Sequence, residues 1–308
     1  MLKPRALEAG SRLAVVAPAS PFARDEFDRG LDELGRLGFV PVYDESVFAR
    51  QGAYLAGSPE LRARAIRAAW QDPSIAGLIA VRGGYGSAQV LPLLDVAEMQ
   101  RTPKPFIGYS DLTSLLTFLT TGCGVVAFHG PMLEGRLARG ADGYDQDSFL
   151  RALGRREPFG ELTAPGVEVI RGGEAAGPLL GGTLAQLVAS LGTPFAFAPP
   201  AGYVLFVEEV GERPYRLDRM VTQLRQSGLL SRAVAVVVGE LPRCDEPSGD
   251  LTGRAVIADL FRDFPGPVLI GFPSGHTTGP SLTLPLGVAA RVLASSQPRL
   301  VIEEAAVE

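Results

Sequence analysis

The sequence predicts an α/β protein with an N-terminal doubly wound, mostly parallel sheet of the Rossmann or flavodoxin type and a smaller, strand-rich α/β C-terminal domain. From residue 12 to about residue 130, short β-branched runs alternate with amphipathic helical stretches. This alternation is typical of parallel strands joined by helical crossovers. Beyond about residue 170, strands predominate and the alternation is less regular. A chain of 308 residues is long enough for two such domains.

The first part contains five strand candidates in order along the chain. They are RLAVVA, FVPVYD, IAGLIAVR, PFIGY and VVAFHG. The helical stretches between them are FARDEFDRGLDELGRLG, PELRARAIRAAWQD, SAQVLPLLDVAEM and DLTSLLTFLTT. Ligands bind such sheets at the carboxyl ends of the strands. The loops of interest are therefore residues 17–21, 82–86, 108–111 and 128–132.

A change of composition separates the two predicted domains. Residues 133 to 170 are rich in charged residues and glycine, and we interpret this region as a linker that carries one helix. The predicted boundaries are residues 1–135 for the first domain, 136–170 for the linker and 171–308 for the second domain. A cleft between two domains is a favoured place for a small molecule.

Composition and charge exclude several classes of function. The net charge of -5 is spread along the chain without a basic stripe, so we expect no nucleic-acid partner. The apolar run LAVVA is too short for a signal peptide, and no segment has the length of a membrane span. We therefore predict a cytoplasmic protein, with Cys123 and Cys244 as reduced structural thiols. Two isolated histidines and no clustered ligands predict no metal site.

The segment FIGYSD, residues 106 to 111, joins the end of a buried strand to a serine and a following helix. Ser110 in this position can cap the helix, because its side-chain oxygen accepts a hydrogen bond from a free backbone N–H group. It can also be a nucleophile held on a tight strand-to-helix turn. Leu112 stands where the G-x-S-x-G elbow has its last glycine, so the segment does not match that motif.

A serine nucleophile needs a base, and histidine is the usual one. The chain has His129 in FHGPM and His276 in SGHTTGP, both in loops after apolar runs, and the residues alone do not decide between them. The base in turn needs a carboxylate on its second nitrogen. Glu208 and Glu209 end the strand YVLFVEE, and because they point to opposite faces, at most one can enter the cleft.

A glycine turn follows the third strand and contains Gly83, Gly84 and Gly86. Such a turn before a helix presents free N–H groups to an anion, either a phosphate or a developing oxyanion. The spacing is not G-x-G-x-x-G, and no acidic residue stands clearly at the end of the next strand, so the dinucleotide signature is weak. We predict no cofactor, and an oxyanion hole or a carboxylate site fits the turn equally well.

Motifs along nearly the whole chain resemble one family of serine peptidases. They are VVAPASP, YLAGSPELRARAI, VRGGYGSAQVLPLLD, KPFIGYSDLTSLL, FHGPM, GGTLAQLVASLGTP, LFVEEVGERPYRLDRM and SGHTTGPSLTLPLG. Each motif is modest alone, but all of them occur in the family's order. In these motifs the chain is similar to the serine-type L,D-carboxypeptidases, the murein tetrapeptide carboxypeptidase family that also contains the microcin C immunity peptidases.

The resemblance implies a catalytic triad. It gives the nucleophile as the serine of the G-x-S-D turn, Ser110, the acid as Glu208 and the base as His276. His129 falls in the family's H-G-P segment, outside the triad, and is expected to shape the substrate pocket. Because Ser110 lies in the first predicted domain and the other two residues in the second, the triad is complete only when the domains dock.

Further site residues follow from these assignments. For the oxyanion hole we expect the backbone N–H groups of Asp111 and Gly84, with the Asp111 side chain only at the start of the helix. An exopeptidase must bind a free carboxylate, and a guanidinium binds one bidentately. The candidates for substrate contact are Arg82, Gly83, Tyr85 and His129, with Arg213 and Arg216 as further candidates for the carboxylate.

The implied activity is removal of the terminal D-Ala from a murein tetrapeptide formed during wall recycling, through an acyl-enzyme. The implied partners are a small peptide substrate with a free C-terminal carboxylate and a second copy of the chain in a homodimer. One alternative is an immunity-type peptidase that cleaves an aminoacyl-nucleotide, although the single Trp70 is far in sequence from the motifs. Another is a non-enzymatic binding module in which Ser110 is only a helix cap.

Two positions depart from the family's pattern. Thr183 stands where G-G-N-L has asparagine, and Glu209 stands where E-D is common. Thr183 keeps a hydroxyl but lacks the amide, so we expect a contact to substrate or backbone to differ there.

Overall fold

The computed structural model describes residues 1 to 308 as two β-sheets with helices packed on their faces. The strands are β1 (Arg12–Val16), β2 (Val40–Val42), β3 (Gly77–Ala80), β4 (Phe106–Gly108), β5 (Ala127–His129), β6 (Gly160–Leu162), β7 (Glu168–Arg171), β8 (Gly173–Thr183), β9 (Tyr203–Glu208), β10 (Ala233–Gly239), β11 (Val268–Phe272), β12 (Leu284–Leu286), β13 (Ala289–Ala294) and β14 (Arg299–Ile302). The α-helices are α1 (Arg24–Arg36), α2 (Pro59–Gln71), α3 (Val96–Arg101), α4 (Thr113–Thr117), α5 (Gln146–Gly154), α6 (Leu184–Ser190), α7 (Pro214–Gln226) and α8 (Gly253–Phe261).

The first sheet has the strand order β2-β1-β3-β4-β5-β12. Its first five strands are parallel, and their order is that of flavodoxin-like sheets. The predicted α/β class is therefore confirmed. The sixth strand, β12, comes from the C-terminal part of the chain and pairs antiparallel with β5, with Leu284 opposite His129.

The second sheet has the order β6-β14-β13-β8-β9-β10-β11-β7, eight strands against six in the first. Its four central strands, β8 to β11, are parallel and connected by α6, α7 and α8. Antiparallel strands extend both sides. The region interpreted as a linker, residues 136–170, contains α5, β6 and all but the last residue of β7, and these two strands form the edges of this sheet.

The two faces of the second sheet contribute to different cores. One core of 62 buried residues joins this sheet to the first sheet, and a second of 21 residues lies between this sheet and α6 to α8. Val204 and Phe206 of β9 belong to the first core, whereas Leu205 and Val207 belong to the second. Because side chains alternate along a strand, Glu208 faces the first sheet.

The predicted helix after Ser110 has three segments of different pitch. Ser110–Leu112 is a 3₁₀ turn, α4 follows, and Phe118–Gly122 is a π turn. The hydroxyl of Thr121 donates to the carbonyl oxygen of Thr117 at 2.8 Å, a side-chain bond that competes with the helical pattern. No helix of the protein combines the length and the apolar character needed to cross a bilayer.

Candidate active site

Ser110 stands at a strained turn between β4 and α4. Tyr109 is extended, and Ser110 then takes a φ of 64°. A non-glycine residue with this conformation costs roughly 1–3 kcal/mol and persists only where the surrounding structure enforces it. The 3₁₀ turn begins at Ser110 itself, and no N–H group donates to the Ser110 hydroxyl, so this side chain is not a helix cap. The hydroxyl is thus held at the carboxyl end of a buried strand without a structural contact.

Glu208 and His276 form a close pair on the face of β9 that points toward the first sheet. The Nδ1–H of His276 donates to Glu208 Oε2 at 2.7 Å, and the backbone N–H of His276 donates to the same oxygen at 2.9 Å. The Glu208 side chain is fully buried, whereas that of His276 is 20% exposed. Because Nδ1 carries the proton, Nε2 has the lone pair that a general base requires.

The charge of Glu208 is stabilised by its donors. Burial alone raises the pKa of a carboxyl group, but the charge of His276, its hydrogen bonds, nearby His129 and the hydroxyl of Thr183 together lower the pKa of Glu208 to about 2. The group is therefore a carboxylate throughout the neutral range. It can orient the imidazole of His276 and stabilise the imidazolium that forms when that ring takes a proton.

The turn at Ser110 and the side chain of His276 are neighbours across the two sheets. The ring of Tyr109, the residue before Ser110, lies 5.0 Å from the ring of His276, edge to face. The side chains of Ser110 and His276 make no hydrogen bond to each other. Such contacts are often long in unliganded enzymes and shorten when substrate binds. The structure therefore brings Ser110, Glu208 and His276 to one place between the two sheets.

Thr183 contacts Glu208 directly. Its hydroxyl donates to Glu208 Oε1, the carboxylate oxygen that His276 does not use. The backbone N–H of Thr183 donates to Thr113 Oγ1 at 3.0 Å. The departure from the family's asparagine therefore affects a residue in contact with Glu208, which the sequence pattern did not reveal.

Glu209 points away from this site, as expected for the next residue of a strand. Its carboxylate accepts the N–H of Ala185 at 2.8 Å and that of Val210 at 2.9 Å. Burial raises the pKa of Glu209 to about 7. The side chain lies at the start of α6 and does not contact His276.

His129, which is predicted to contact the substrate, is fully buried in the structure and lies on no accessible surface. β12 pairs with β5 at His129 and covers that end of the strand, and the ring of Phe206 packs on it 5.0 Å away. Ser274 Oγ donates to the carbonyl oxygen of Leu282 at 2.9 Å, so Nδ1–H of His129 must donate to Ser274 at 3.0 Å. Nε2 has no partner, and burial lowers the pKa of His129 to about 4, so this histidine is neutral.

The glycine turn lies against Ser110. A Cβ atom at residue 83 would lie 3.2 Å from Ser110 Oγ and 3.3 Å from the backbone nitrogen of Asp111. The N–H groups of Gly83, Gly84 and Asp111 donate to no other protein atom. The Asp111 carboxylate accepts the N–H of Ser87 at 2.8 Å, so this side chain joins the glycine turn to the turn at Ser110 instead of capping its own helix.

The remaining predicted contact residues differ in their surroundings. Tyr85 is 53% exposed and packs edge to face on Tyr54, with ring centroids 5.7 Å apart. Arg82 pairs with Glu134 at 2.9 Å beside the glycine turn. The two arginines of the second part are held in surface ion pairs, Arg213 with Glu246 at 2.6 Å and Arg216 with Glu212 at 3.2 Å.

Arg62 holds the loops of the first sheet together and was not singled out from the sequence. It is 2% exposed and donates to the carbonyl oxygens of Pro18 at 2.6 Å and Gly86 at 2.8 Å. These residues belong to the loops after β1 and β3. The burial of Arg62 could have been predicted, because the residue precedes Ile66 by one turn of α2 and so lies on the apolar face of that helix.

Arg136 holds the loop that carries His276 and was also missed. It is 5% exposed and donates to the carbonyl oxygens of Gly275 at 2.7 Å, Thr277 at 3.2 Å and Gly279 at 3.0 Å. Its guanidinium carbon lies 5.9 Å from the centre of the Tyr109 ring. No local pattern pointed to Arg136, since its acceptors are backbone atoms of a segment far along the chain.

Other candidate sites are less suited to the chemistry. A cavity of about 450 Å³ lies between α2 and the edge of the first sheet, but its lining includes none of the predicted site residues. Cys123 and Cys244 are buried, and burial raises the pKa of these thiols to about 12 and about 11, so neither is a reactive thiolate.

Comparison with known proteins gives matches over most of the chain. The LD-carboxypeptidase N-terminal domain matches residues 13–130, and the LD-carboxypeptidase C-terminal domain matches residues 176–292. A Streptomyces coelicolor protein described, without a stated substrate, as a carboxypeptidase is 38% identical over 95% of this chain and 93% of its own length. The murein tetrapeptide carboxypeptidase of Pseudomonas aeruginosa is 31% identical over 86% of this chain and 88% of its own.

Among solved structures, the microcin C7 self-immunity protein in complex with glutamyl sulfamoyl guanosine superposes with a TM-score of 0.90. The match covers 100% of both chains at 24% sequence identity, and so it shows a shared fold. The domain matches and the sequence relatives show the family as well as the fold. Both halves of the chain, in the family's order, match the two domains of one peptidase family, and this protein therefore belongs to the LD-carboxypeptidase family.

Proposed function

We propose that the protein is a serine L,D-carboxypeptidase that removes the terminal D-Ala from murein tetrapeptides. The observation that carries the proposal is the Glu208–His276 pair beside the strained turn of Ser110, with Nδ1 of the histidine on the carboxylate at 2.7 Å. Membership of a carboxypeptidase family supports the reaction class. The similarity to the murein tetrapeptide carboxypeptidase of Pseudomonas aeruginosa supports the substrate.

In the acylation step, Ser110 Oγ attacks the carbonyl carbon of the bond that joins the third residue, a meso-diaminopimelate or a lysine, to D-Ala. Nε2 of His276 takes the hydroxyl proton, while Glu208 keeps Nδ1–H oriented and balances the imidazolium charge. Collapse of the tetrahedral intermediate breaks the peptide bond, and His276 gives its proton to the leaving amine of D-Ala. The product of this step is an acyl-enzyme on Ser110.

In the deacylation step, His276 removes a proton from water, and the resulting hydroxide attacks the acyl carbon. The proton then returns to Ser110 as the ester bond breaks, which releases the shortened peptide. In both steps the oxyanion would accept hydrogen bonds from the N–H groups of Asp111 and Gly84. These two N–H groups have no other protein acceptor, which supports the assignment.

Recognition of the free carboxylate is assigned to the first sheet. Arg82 precedes the glycine turn, and its side chain is 45% exposed even with Glu134 as a partner. We retain Arg82 as the candidate, with Gly83 and Tyr85 as neighbouring contacts. Arg213 and Arg216 remain further candidates, and each is likewise held in a surface ion pair with an acidic side chain.

The test compares wild type with Ser110→Ala, Glu208→Gln and His276→Ala on a murein tetrapeptide, with free D-Ala measured by D-amino acid oxidase. We expect release by wild type and a loss of about 10⁴-fold or more for Ser110→Ala. A tetrapeptide that ends in L-Ala is the matched control and should not be cleaved. Absence of D-Ala release by wild type would refute the proposed substrate.

An aminoacyl-nucleotide is the second candidate substrate. In its favour, Tyr54 and Tyr85 expose 58% and 53% of their surface beside the glycine turn, where a flat base could stack. Trp70 cannot serve this purpose, because it is 1% exposed. Hydrolysis of an aminoacyl sulfamoyl adenosine by wild type, together with no release of D-Ala, would favour this substrate over the murein peptide.

Two further expectations belong to the proposal. We propose a homodimer, as the family resemblance implies, and a monomer in sedimentation equilibrium would contradict it. A purely ligand-binding role predicts that Ser110→Ala binds the tetrapeptide as tightly as wild type and that neither protein hydrolyses any substrate. Hydrolysis by wild type alone would exclude that role.

A further inference from the structure

Two threonines connect the helix of the nucleophile to the acid. Thr113 is the first residue of α4, one helical turn after Ser110, and Thr183 is the last residue of β8. The N–H of Thr183 donates to Thr113 Oγ1 at 3.0 Å, and the hydroxyl of Thr183 donates to Glu208 Oε1. A continuous hydrogen-bond path therefore runs from the segment that carries Ser110, across the two sheets, to the carboxylate that orients His276.

The path depends on an unusually close approach of the two backbones. Gly182 has a φ of 147°, and a Cβ atom at this residue would lie 2.6 Å from Thr113 Oγ1. Thr113 is fully buried and Thr183 is 5% exposed. Water therefore cannot reach this place to replace a lost hydrogen bond. A polar group that loses its partner here is left buried and unsatisfied, which costs its full desolvation penalty.

The two carboxylate oxygens of Glu208 accept hydrogen bonds from different residues. Oε2 accepts both donors from His276, at 2.7 Å and 2.9 Å, and Oε1 accepts the hydroxyl of Thr183. With only the donors on Oε2, the carboxylate could rotate about its last bond. With Thr183 in place, the plane of the carboxylate and the direction of the imidazole are both set.

We propose that Thr183 is a positioning residue for the reaction, which fixes the Glu208 carboxylate toward His276, and that Thr113 holds Thr183 in register with the nucleophile helix. This inference rests on the proposed function, because it assumes that Ser110, His276 and Glu208 act together. It assigns a task to the residue at which the chain departs from the family's asparagine.

The inference predicts a change in pH dependence. The titratable groups around Glu208 are His276 from the loop after β11, neutral His129 from β5, Tyr109 from the nucleophile turn and Glu209, which faces the other way. Donors on one carboxylate compete with each other, so loss of the Thr183 hydroxyl makes Glu208 a stronger acceptor for His276. The ion pair between protonated His276 and the Glu208 carboxylate then becomes more stable. Because His276 must lose this proton to act as a base, the acid limb of the pH–rate profile should move to higher pH.

The experiment measures kcat, KM and the pH profile of D-Ala release for Thr183→Val, Thr183→Ser, Thr113→Val and the double valine variant. We expect Thr183→Val to lower kcat about 10- to 100-fold with little change in KM, and to shift the acid limb upward. Thr183→Ser should recover most of kcat and the wild-type profile. The double variant should lose less than the product of the two single losses, because both changes break one path.

The matched control is Thr222→Val, which removes a hydroxyl that donates to the Asp218 carboxylate at 3.0 Å on the surface of α7. It should behave as wild type. Melting temperatures identify any valine variant that fails to fold, in which case Thr183→Ser is compared with wild type directly. A loss confined to KM, or an equal loss in Thr183→Ser and Thr183→Val with an unchanged pH profile, would overturn the inference.

A second readout separates this inference from the choice of substrate. The rate at which a fluorophosphonate modifies Ser110, followed by mass spectrometry, needs the triad but no murein peptide. If wild type reacts with the probe but releases no D-Ala, the murein assignment fails and the positioning role is still measured. Slower labelling of Thr183→Val than of Thr183→Ser supports it, and equal labelling rates refute it.

Discussion

Gly83 lies against Ser110 so closely that a Cβ atom at residue 83 would be 3.0 Å from the Cβ atom of Ser110. Gly83 is not among the residues with a positive φ, so its backbone conformation is open to any L-residue. The need for glycine here comes from the contact alone. The neighbouring Gly84 differs, because its φ of 93° also requires glycine on conformational grounds.

A methyl group at residue 83 should therefore displace Ser110 and have little effect on the fold. We expect Gly83→Ala to lower kcat roughly 100-fold, since displacing a reacting group by about 1 Å can cost that much. The melting temperature should stay close to that of wild type. Gly35→Ala on α1, where nothing lies within 4 Å, is the control and should keep full activity. Wild-type kcat in Gly83→Ala would show that the contact has no catalytic consequence.

Arg136 should couple stability to activity. Lysine keeps the positive charge but offers donors from a single nitrogen, so Arg136→Lys loses part of the bonding to the loop that carries His276. We expect the free energy of unfolding to fall by about 1–3 kcal/mol and kcat to fall about 10-fold. Urea denaturation and steady-state kinetics measure the two effects. Arg139→Lys, at an exposed arginine of the same segment, should change neither quantity.

His129 should make the protein less stable in mild acid. Its pKa in the folded protein is about 4, below the usual 6.5, so the unfolded chain binds a proton in this range that the folded protein excludes. Stability is then complete above pH 6.5 and falls as the pH decreases toward 4, by roughly 3 kcal/mol from this group. His129→Gln should show a flatter dependence in urea titrations between these pH values. Parallel curves for the two proteins would contradict the buried neutral state.

The exposed ring of Tyr85 should affect substrate binding more than the chemical step. We expect Tyr85→Ala to raise KM about 10-fold with kcat nearly unchanged, because the ring provides contact area and no proton transfer. Tyr215→Ala, at a tyrosine of α7 that is 52% exposed, is the matched control and should have the wild-type KM. A large fall in kcat for Tyr85→Ala would instead indicate that the ring positions the glycine turn.

Local patterns in the sequence were sufficient for the alternating strands and helices of the first sheet, because hydrophobic periodicity and glycine turns are short-range signals. They also placed Ser110 at the turn after β4 and Glu208 at the end of β9. The pairing of strands that are far apart in the sequence could not be predicted from local patterns. The burial of His129 follows from the pairing of β5 with β12, and Arg136 finds backbone carbonyl groups that carry no side-chain identity.

The same distinction explains the two histidines. Both stand after apolar runs in loops punctuated by glycine and proline, so their local sequences look alike. The two histidines differ in their tertiary contacts. His276 has a carboxylate on Nδ1 and a partly exposed side chain, whereas His129 has a serine on Nδ1 and the ring of Phe206 packed against it.

β12 has a consequence for the order of events during synthesis. The five parallel strands of the first sheet are all made before residue 130, but the strand that covers β5 is not available until residue 286 has left the ribosome. Until then β5 is an open edge that other chains can pair with. The same delay keeps Ser110 apart from His276, which lies in the loop after β11, so the growing chain presents Ser110 without this partner until the second sheet has folded.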